Sequence, residues 1–179
     1  MRRKSRTMAV CGVMTALSVC VMLMGGVIPL ATYCAPMLAS LVLIPVIAEA
    51  GRKMAMAAYA AAAMLSLLLG PDKEAALLFA FLGWYPAAKW SLDRIRQRPL
   101  RMLSKLGIFN AAIAAMLACM AFVLNMQSVV NEYAAMTGAL AAVFLLTGNV
   151  CMLLFDRLVL IWMFLYLKRL RPRLMRGAQ

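Results

Sequence analysis

The sequence predicts an all-α, polytopic integral membrane protein with six transmembrane helices and both termini on the cytoplasmic side. Three observations carry that prediction. The 179 residues are 66% hydrophobic and only 14% charged, whereas a soluble domain is about half apolar and a quarter charged. Residues 7–48 contain no Asp, Glu, Lys or Arg, and as helix that run would measure about 63 Å, twice a hydrocarbon core of roughly 30 Å. Finally, 17 of the 19 basic residues fall in four clusters set between apolar runs. These are Arg2, Arg3, Lys4 and Arg6; Arg52 and Lys53; the six between Lys89 and Lys105; and the five from Lys168 on. The positive-inside rule places all four clusters on the cytoplasmic face of the cell membrane. Spans of about 20 residues with short loops use up the whole chain, so residues 1–179 read as one transmembrane domain.

The first predicted span is 8–30, closed by Gly25, Gly26 and Pro29. Its basic start resembles a signal peptide, but the apolar run is too long and lacks a small-x-small cleavage site, so a retained helix is expected. Span two, 33–50, carries Pro36 and Pro45, which membrane helices tolerate when neighbours satisfy the freed carbonyls. It meets an inner turn at Gly51-Arg52-Lys53. Span three, 54–70, is Ala-rich and stops at Pro71-Asp72-Lys73-Glu74. Span four, 75–90, is the shortest, with Lys89 expected to snorkel and Trp84, Tyr85 and Trp90 expected at the interface. Without it, the six-charge loop would lie outside. Span five is 106–126. The stretch 134–167 is interrupted only by Asp156 and Arg157. Two crossings there would put the basic tail outside, so one span, 142–167, is expected after an outer helical or re-entrant segment.

Composition excludes several function classes. A net charge of +13 in a soluble chain would point to nucleic acid, but membrane topology already explains where this charge sits, and no nucleic-acid partner is expected. Histidine, the commonest metal ligand and proton shuttle near neutral pH, is missing. The five cysteines stand singly within apolar runs and read as small buried hydrophobes. The 17 methionines are scattered along helical stretches without neighbouring His or Cys, which fits core filling better than copper binding. There is no G-x-S-x-G, no H-E-x-x-H and no Gly-rich phosphate loop. No enzyme activity, metal or cofactor is expected.

Asp156 is the most informative single residue. A charge near mid-membrane costs several kcal/mol on insertion scales and by default marks function or a buried partner. Arg157 is adjacent and therefore points to a different face, whereas Asn149, two turns earlier, shares the face of Asp156. The remaining polar side chains gather in outer loops: Thr32 and Tyr33; Asp72, Lys73 and Glu74; Asn125, Gln127, Asn131, Glu132 and Tyr133. The candidate small-molecule site is Tyr33, Asp72, Glu74, Glu132, Asn149 and Asp156, an acidic set that favours a cationic or amine-bearing ligand. Ordinary wetted loops, and a structural pairing of Asp156 with another helix, explain the same residues.

Span one also carries Gly12, Ala16 and Cys20 at four-residue spacing, with Ala9 close by. Small residues on one stripe let another membrane helix approach closely. With this stripe, six short-looped spans and the opening MAVCGVMTALSVCVMLMGG, the chain resembles the substrate-binding S-components of energy-coupling factor transporters. The resemblance implies that Gly12 and Ala16 dock on a transmembrane coupling subunit, with Gly in place of the usual Ala at the first position. It further implies two cytoplasmic ATPase subunits and capture of a vitamin-like small molecule beneath the outer loops. Six-helix rod-shape-determining membrane proteins are similar at this level, and leave a non-transporting scaffold as the alternative.

The topology reading predicts labelling behaviour. With native cysteines replaced, single cysteines at Lys73 and Gln127 should react with impermeant reagents from outside, and one at Arg96 only from inside. An outward Arg96 would overturn the six-span arrangement.

Overall fold

The computed structural model describes residues 2–26, 31–94, 96–122, 131, 135 and 138–170. Those residues are helical almost throughout, as the composition requires. The helices are α1 (Arg2–Gly25), α2 (Cys34–Val42), α3 (Ile44–Leu69), α4 (Lys73–Leu82), α5 (Tyr85–Leu92), α6 (Arg98–Phe122) and α7 (Gly138–Leu165), and a π-helical turn, Tyr166–Leu170, follows α7. By length and composition, the spans that could cross a membrane are Thr7–Gly25, Ile44–Leu69, Arg98–Phe122 and Gly138–Arg169.

The second of these, α3, is not straight. Gly51 inside α3 has φ 80° and ψ 174°, a region of backbone space open essentially to glycine alone. The two flanks of this break return to the same place. Gly25, at the end of α1, lies so close to Ala35 in α2 that a methyl group on it would overlap the Ala35 Cβ, and one on Gly26 would fall 2.7 Å from Pro71 Cγ. A straight helix over residues 34–69 would hold its ends about 54 Å apart, so they could not both meet the end of α1. The chain therefore reverses at Gly51. The turn predicted at Gly51-Arg52-Lys53 is present, and α3 consists of two antiparallel limbs.

The chain divides into two compact units, with boundaries within α5 and α7. One unit holds residues up to Trp90 and from Arg157 on; the other is Ser91–Asp156. In the first, α1 packs on α2 and α3, and α4 packs on α2 and α3. Its core is built from small side chains, Ala35, Ala39, Ala55, Ala58, Ala62, Ala63 and Ala75, filled in by Val19, Met22, Val46 and Phe79. Alanine at such contacts brings backbones close, which is how helices associate where lipid removes the hydrophobic drive. Ser18 uses that closeness and donates to Ala39 O at 2.9 Å across the α1–α2 contact.

Several boundaries differ from expectation. Span two is broken at Leu43, and each of its prolines sits in the first turn of a helix, Pro36 in α2 and Pro45 in α3. There the missing N–H would have had no helical partner anyway. Span four is α4 and α5, joined at Gly83-Trp84. Lys89 does not snorkel: it is fully buried, its Nζ 5.9 Å from the Tyr85 ring centroid. Tyr85 is also buried. Helix α6 begins at Arg98, eight residues before the predicted span, which brings Lys105 into the helix. Helix α7 starts at Gly138 and runs unbroken through Asp156 and Arg157.

The reversal at Gly51 predicts a backbone-only effect. An added methyl at Gly51 meets nothing within 4 Å, so Gly51→Ala should lower stability by about 1–3 kcal/mol through φ strain alone. Gly107→Ala, equally open but helical, should be neutral or gain up to about 1 kcal/mol. Thermal unfolding in detergent reads both, and equal behaviour of the two variants would contradict the assigned backbone.

Candidate functional site

Polar residues come together in two places, one in each unit. In the first unit they lie where α1 ends, α2 begins and α4 begins. Asp72 caps α4: its Oδ1 accepts from Ala75 N at 3.1 Å and its Oδ2 accepts from the Thr32 hydroxyl at 2.8 Å. Tyr33 donates its phenol to Glu74 Oε1 at 3.0 Å, and Lys73 donates to Leu67 O at 2.7 Å. An N-cap aspartate and a first-turn glutamate both suit the positive end of the α4 dipole. Tyr33, Asp72 and Glu74, picked from sequence as one site, are thus adjacent. Their hydrogen bonds tie two loops together.

The opposite end of this unit is basic. Helix α4 runs back along the second limb of α3, because the Tyr59 hydroxyl donates to Ala80 O and the Tyr59 and Phe79 rings lie 5.7 Å apart. Tyr166 donates to Glu49 Oε1 at 3.4 Å, which sets the end of the π-helical turn, with Lys168 and Arg169, beside the Gly51 turn with Arg52 and Lys53. The start of α1, about 36 Å from Gly25 at 1.5 Å per residue, lies at this end too. Asp72 and Glu74 therefore lie at the opposite end of this unit from Arg52, Lys53, Lys168 and Arg169.

In the second unit α6 and the first part of α7 run antiparallel and share a polar seam. Lys105 Nζ lies 2.7 Å from Asp93 Oδ1 and 2.9 Å and 3.0 Å from the two oxygens of Asp156. All three side chains are largely buried, with 7%, 25% and 14% of the side-chain surface exposed for Lys105, Asp93 and Asp156. One ammonium thus bridges two carboxylates in a place with little water to screen them. Just over a turn further along α6, Asn110 donates to Asn149 Oδ1 at 3.0 Å and also to Leu106 O at 2.9 Å. Asn149 completes the pattern by donating to Leu145 O at 2.8 Å. Such bonds to the carbonyl four residues back let polar side chains reside in apolar helices.

Asp156 and Asn149 do share a face, as their seven-residue spacing requires, and that face is turned to α6. The partner of Asp156 is Lys105, with Arg157 exposed on another side of α7. Glu132 lies outside the described residues. Sequence reasoning missed Lys105, Asp93 and Asn110, because Lys105 was counted with the basic loop. A usable signal was present in the buried stripe Lys105, Phe109, Ala112, Met116 and Met120, whose three- and four-residue steps place Lys105 on the packed face of α6. Among the described residues no group of three or more His, Cys, Asp or Glu could hold a metal ion.

No family model matches this chain, and no curated protein or solved structure does either.

The bridging role of Lys105 predicts unequal mutants. Lys105→Met leaves two carboxylates face to face and should cost about 3–5 kcal/mol. Asp156→Asn leaves Lys105 neutralised by Asp93 and should cost about 1.5–3 kcal/mol, the range for hydrogen bonds to charged groups. Unfolding midpoints in detergent compare them, and a larger loss for Asp156→Asn would refute the bridge.

Proposed function

We propose that this protein is the substrate-binding membrane subunit of an energy-coupling factor type uptake transporter, taking up a small vitamin-like molecule. The observation that carries the reading is the orientation of the α1 stripe. Ala9, Gly12, Ala16 and Cys20 are all exposed, and an added methyl at Gly12 meets no atom within 4 Å. The buried face of α1, with Cys11, Ser18, Val19 and Met22, lies on another side of the helix. Among the described residues nothing packs on this stripe, which supports its use by a second membrane protein. In this proposal that protein is a transmembrane coupling subunit, which recruits two cytoplasmic ATPases because the chain has no nucleotide site of its own.

The proposed topology has six crossings: α1, α2 with the first limb of α3, the second limb of α3, α4 with α5, α6, and α7. The basic ends face the cytoplasm under the positive-inside rule, so both termini are inside and Asp72 and Glu74 face outward. Tyr33, Asp72 and Glu74 then flank the ligand entrance, and Asn149, bonded to Asn110, is assigned to the α6 contact. Asp156, being held by Lys105, is assigned to the helix contact instead of the ligand.

A second reading, a membrane scaffold without transport activity, is favoured by a different observation. Thr32 with Asp72, Tyr33 with Glu74, and Asn110 with Asn149 satisfy one another, as lid and seam residues of a purely structural protein would.

Docking through α1 predicts that Gly12→Leu or Ala16→Leu leaves the unfolding midpoint within about 2 °C, since neither position is packed, a surface change of under about 0.5 kcal/mol. The same changes should abolish co-purification with the coupling subunit. Intact complex recovery with both variants would remove the docking role.

A further inference from the structure

The arginines just before and within the start of α6 have a property that the helix contacts do not explain. Arg94, Arg96 and Arg98 are exposed and Arg101 is half-buried, and among the described residues none of their guanidinium groups has an acidic partner. The nearest acid in sequence, Asp93, is bonded to Lys105. Four cations within eight residues therefore lack an acidic partner among the described residues, three of them exposed. Leu100, Met102 and Leu103, interleaved with them, are 49%, 49% and 68% exposed. At 100° per residue Arg98 and Arg101 lie within 60° of each other, while Leu100 and Leu103 occupy the opposite side of the helix. A helix start with one basic and one apolar side belongs where hydrocarbon meets headgroups. The rest of α6 is long and apolar enough to enter the membrane behind it.

From this we infer that Arg94, Arg96, Arg98 and Arg101 form a binding site for anionic phospholipid headgroups. Guanidinium donates two parallel hydrogen bonds to a phosphodiester and is more weakly hydrated than an ammonium, so it holds phosphate at an interface better than lysine does. Leu100 and Leu103 would lie against the acyl chains of the same lipids. A zwitterionic headgroup carries its own cation and would compete less well for four uncompensated arginines. The site needs neither the ligand nor the partners proposed above, and stands or falls separately from them.

The test uses the full chain in mixed micelles, titrated with phosphatidylglycerol or with phosphatidylcholine of the same acyl chains, and read by the thermal unfolding midpoint. Phosphatidylglycerol should raise the midpoint more than phosphatidylcholine, with the difference shrinking in 0.5 M salt; inorganic phosphate alone should have no effect. Each Arg→Gln change should weaken the apparent phosphatidylglycerol affinity about fivefold, and Arg94→Gln with Arg96→Gln, Arg98→Gln and Arg101→Gln should erase the preference. Equal shifts with both lipids, or an undiminished preference in the fourfold variant, would overturn the site. A full effect from inorganic phosphate would reduce it to simple anion binding and overturn the lipid assignment. If the wild type shows no lipid preference and the arginines instead bind an acidic protein, the lipid proposal also fails. Should the fourfold variant not fold, Arg96→Gln with Arg98→Gln, both exposed, makes the same comparison.

Discussion

A bilayer core offers no water to a polar group, so every polar atom carried into it must be satisfied by the protein itself. This constraint organises the structure at each level. It makes the chain helical, because a helix satisfies its own backbone. It makes side-chain hydroxyls and amides bond to carbonyls one turn back, as Thr15, Asn110, Thr147 and Asn149 do. It also brings the charge at Asp156 to Lys105, where a second carboxylate from Asp93 makes the ammonium a bridge. That bridge fixes the register of α6 against the adjoining part of α7. Sliding one helix by a residue would carry Asp156 to a different face, away from Lys105.

Where helices meet without charge, closeness does the holding. The alanines of α2, α3 and α4, the glycine at the end of α1 and the Ser18 bond all depend on backbones that nearly touch. The same logic gives the outward stripe on α1 its interest: a surface fit for close helix approach, unused within the chain, is what a membrane partner requires. The segregation of basic and acidic ends within one unit adds direction, since a chain whose loops are so sorted has one preferred orientation in a membrane.

Much of this was legible in the sequence, and the misses have physical causes. The apolar runs, the turn at Gly51-Arg52-Lys53, and the gathering of Tyr33, Asp72 and Glu74 follow from hydropathy, glycine and loop placement, which are local signals. Helix limits were less legible, because a basic residue such as Lys105 reads as the edge of a span by hydropathy, although one turn of helix further out costs the backbone nothing. Lys89 misled in the same way: its charge implied an exposed tip, yet its side chain is enclosed beside Tyr85. The partner of Asp156 could not be read from hydropathy, since pairing across 51 positions depends on the packing of two helices. The α6 stripe that includes Lys105 was the one local trace of it. The candidate ligand site divides along these lines, with Tyr33, Asp72 and Glu74 found together and Asn149 and Asp156 committed to a neighbouring helix.

The most direct test of the functional account is native mass spectrometry of the chain gently extracted from the membranes in which it is expressed together with its partners. The account predicts a population carrying one additional small, non-lipid mass, and a larger species containing a second membrane protein that is lost in Gly12→Leu. A chain carrying lipid adducts alone, with neither a bound small molecule nor a co-extracted membrane subunit, would contradict it.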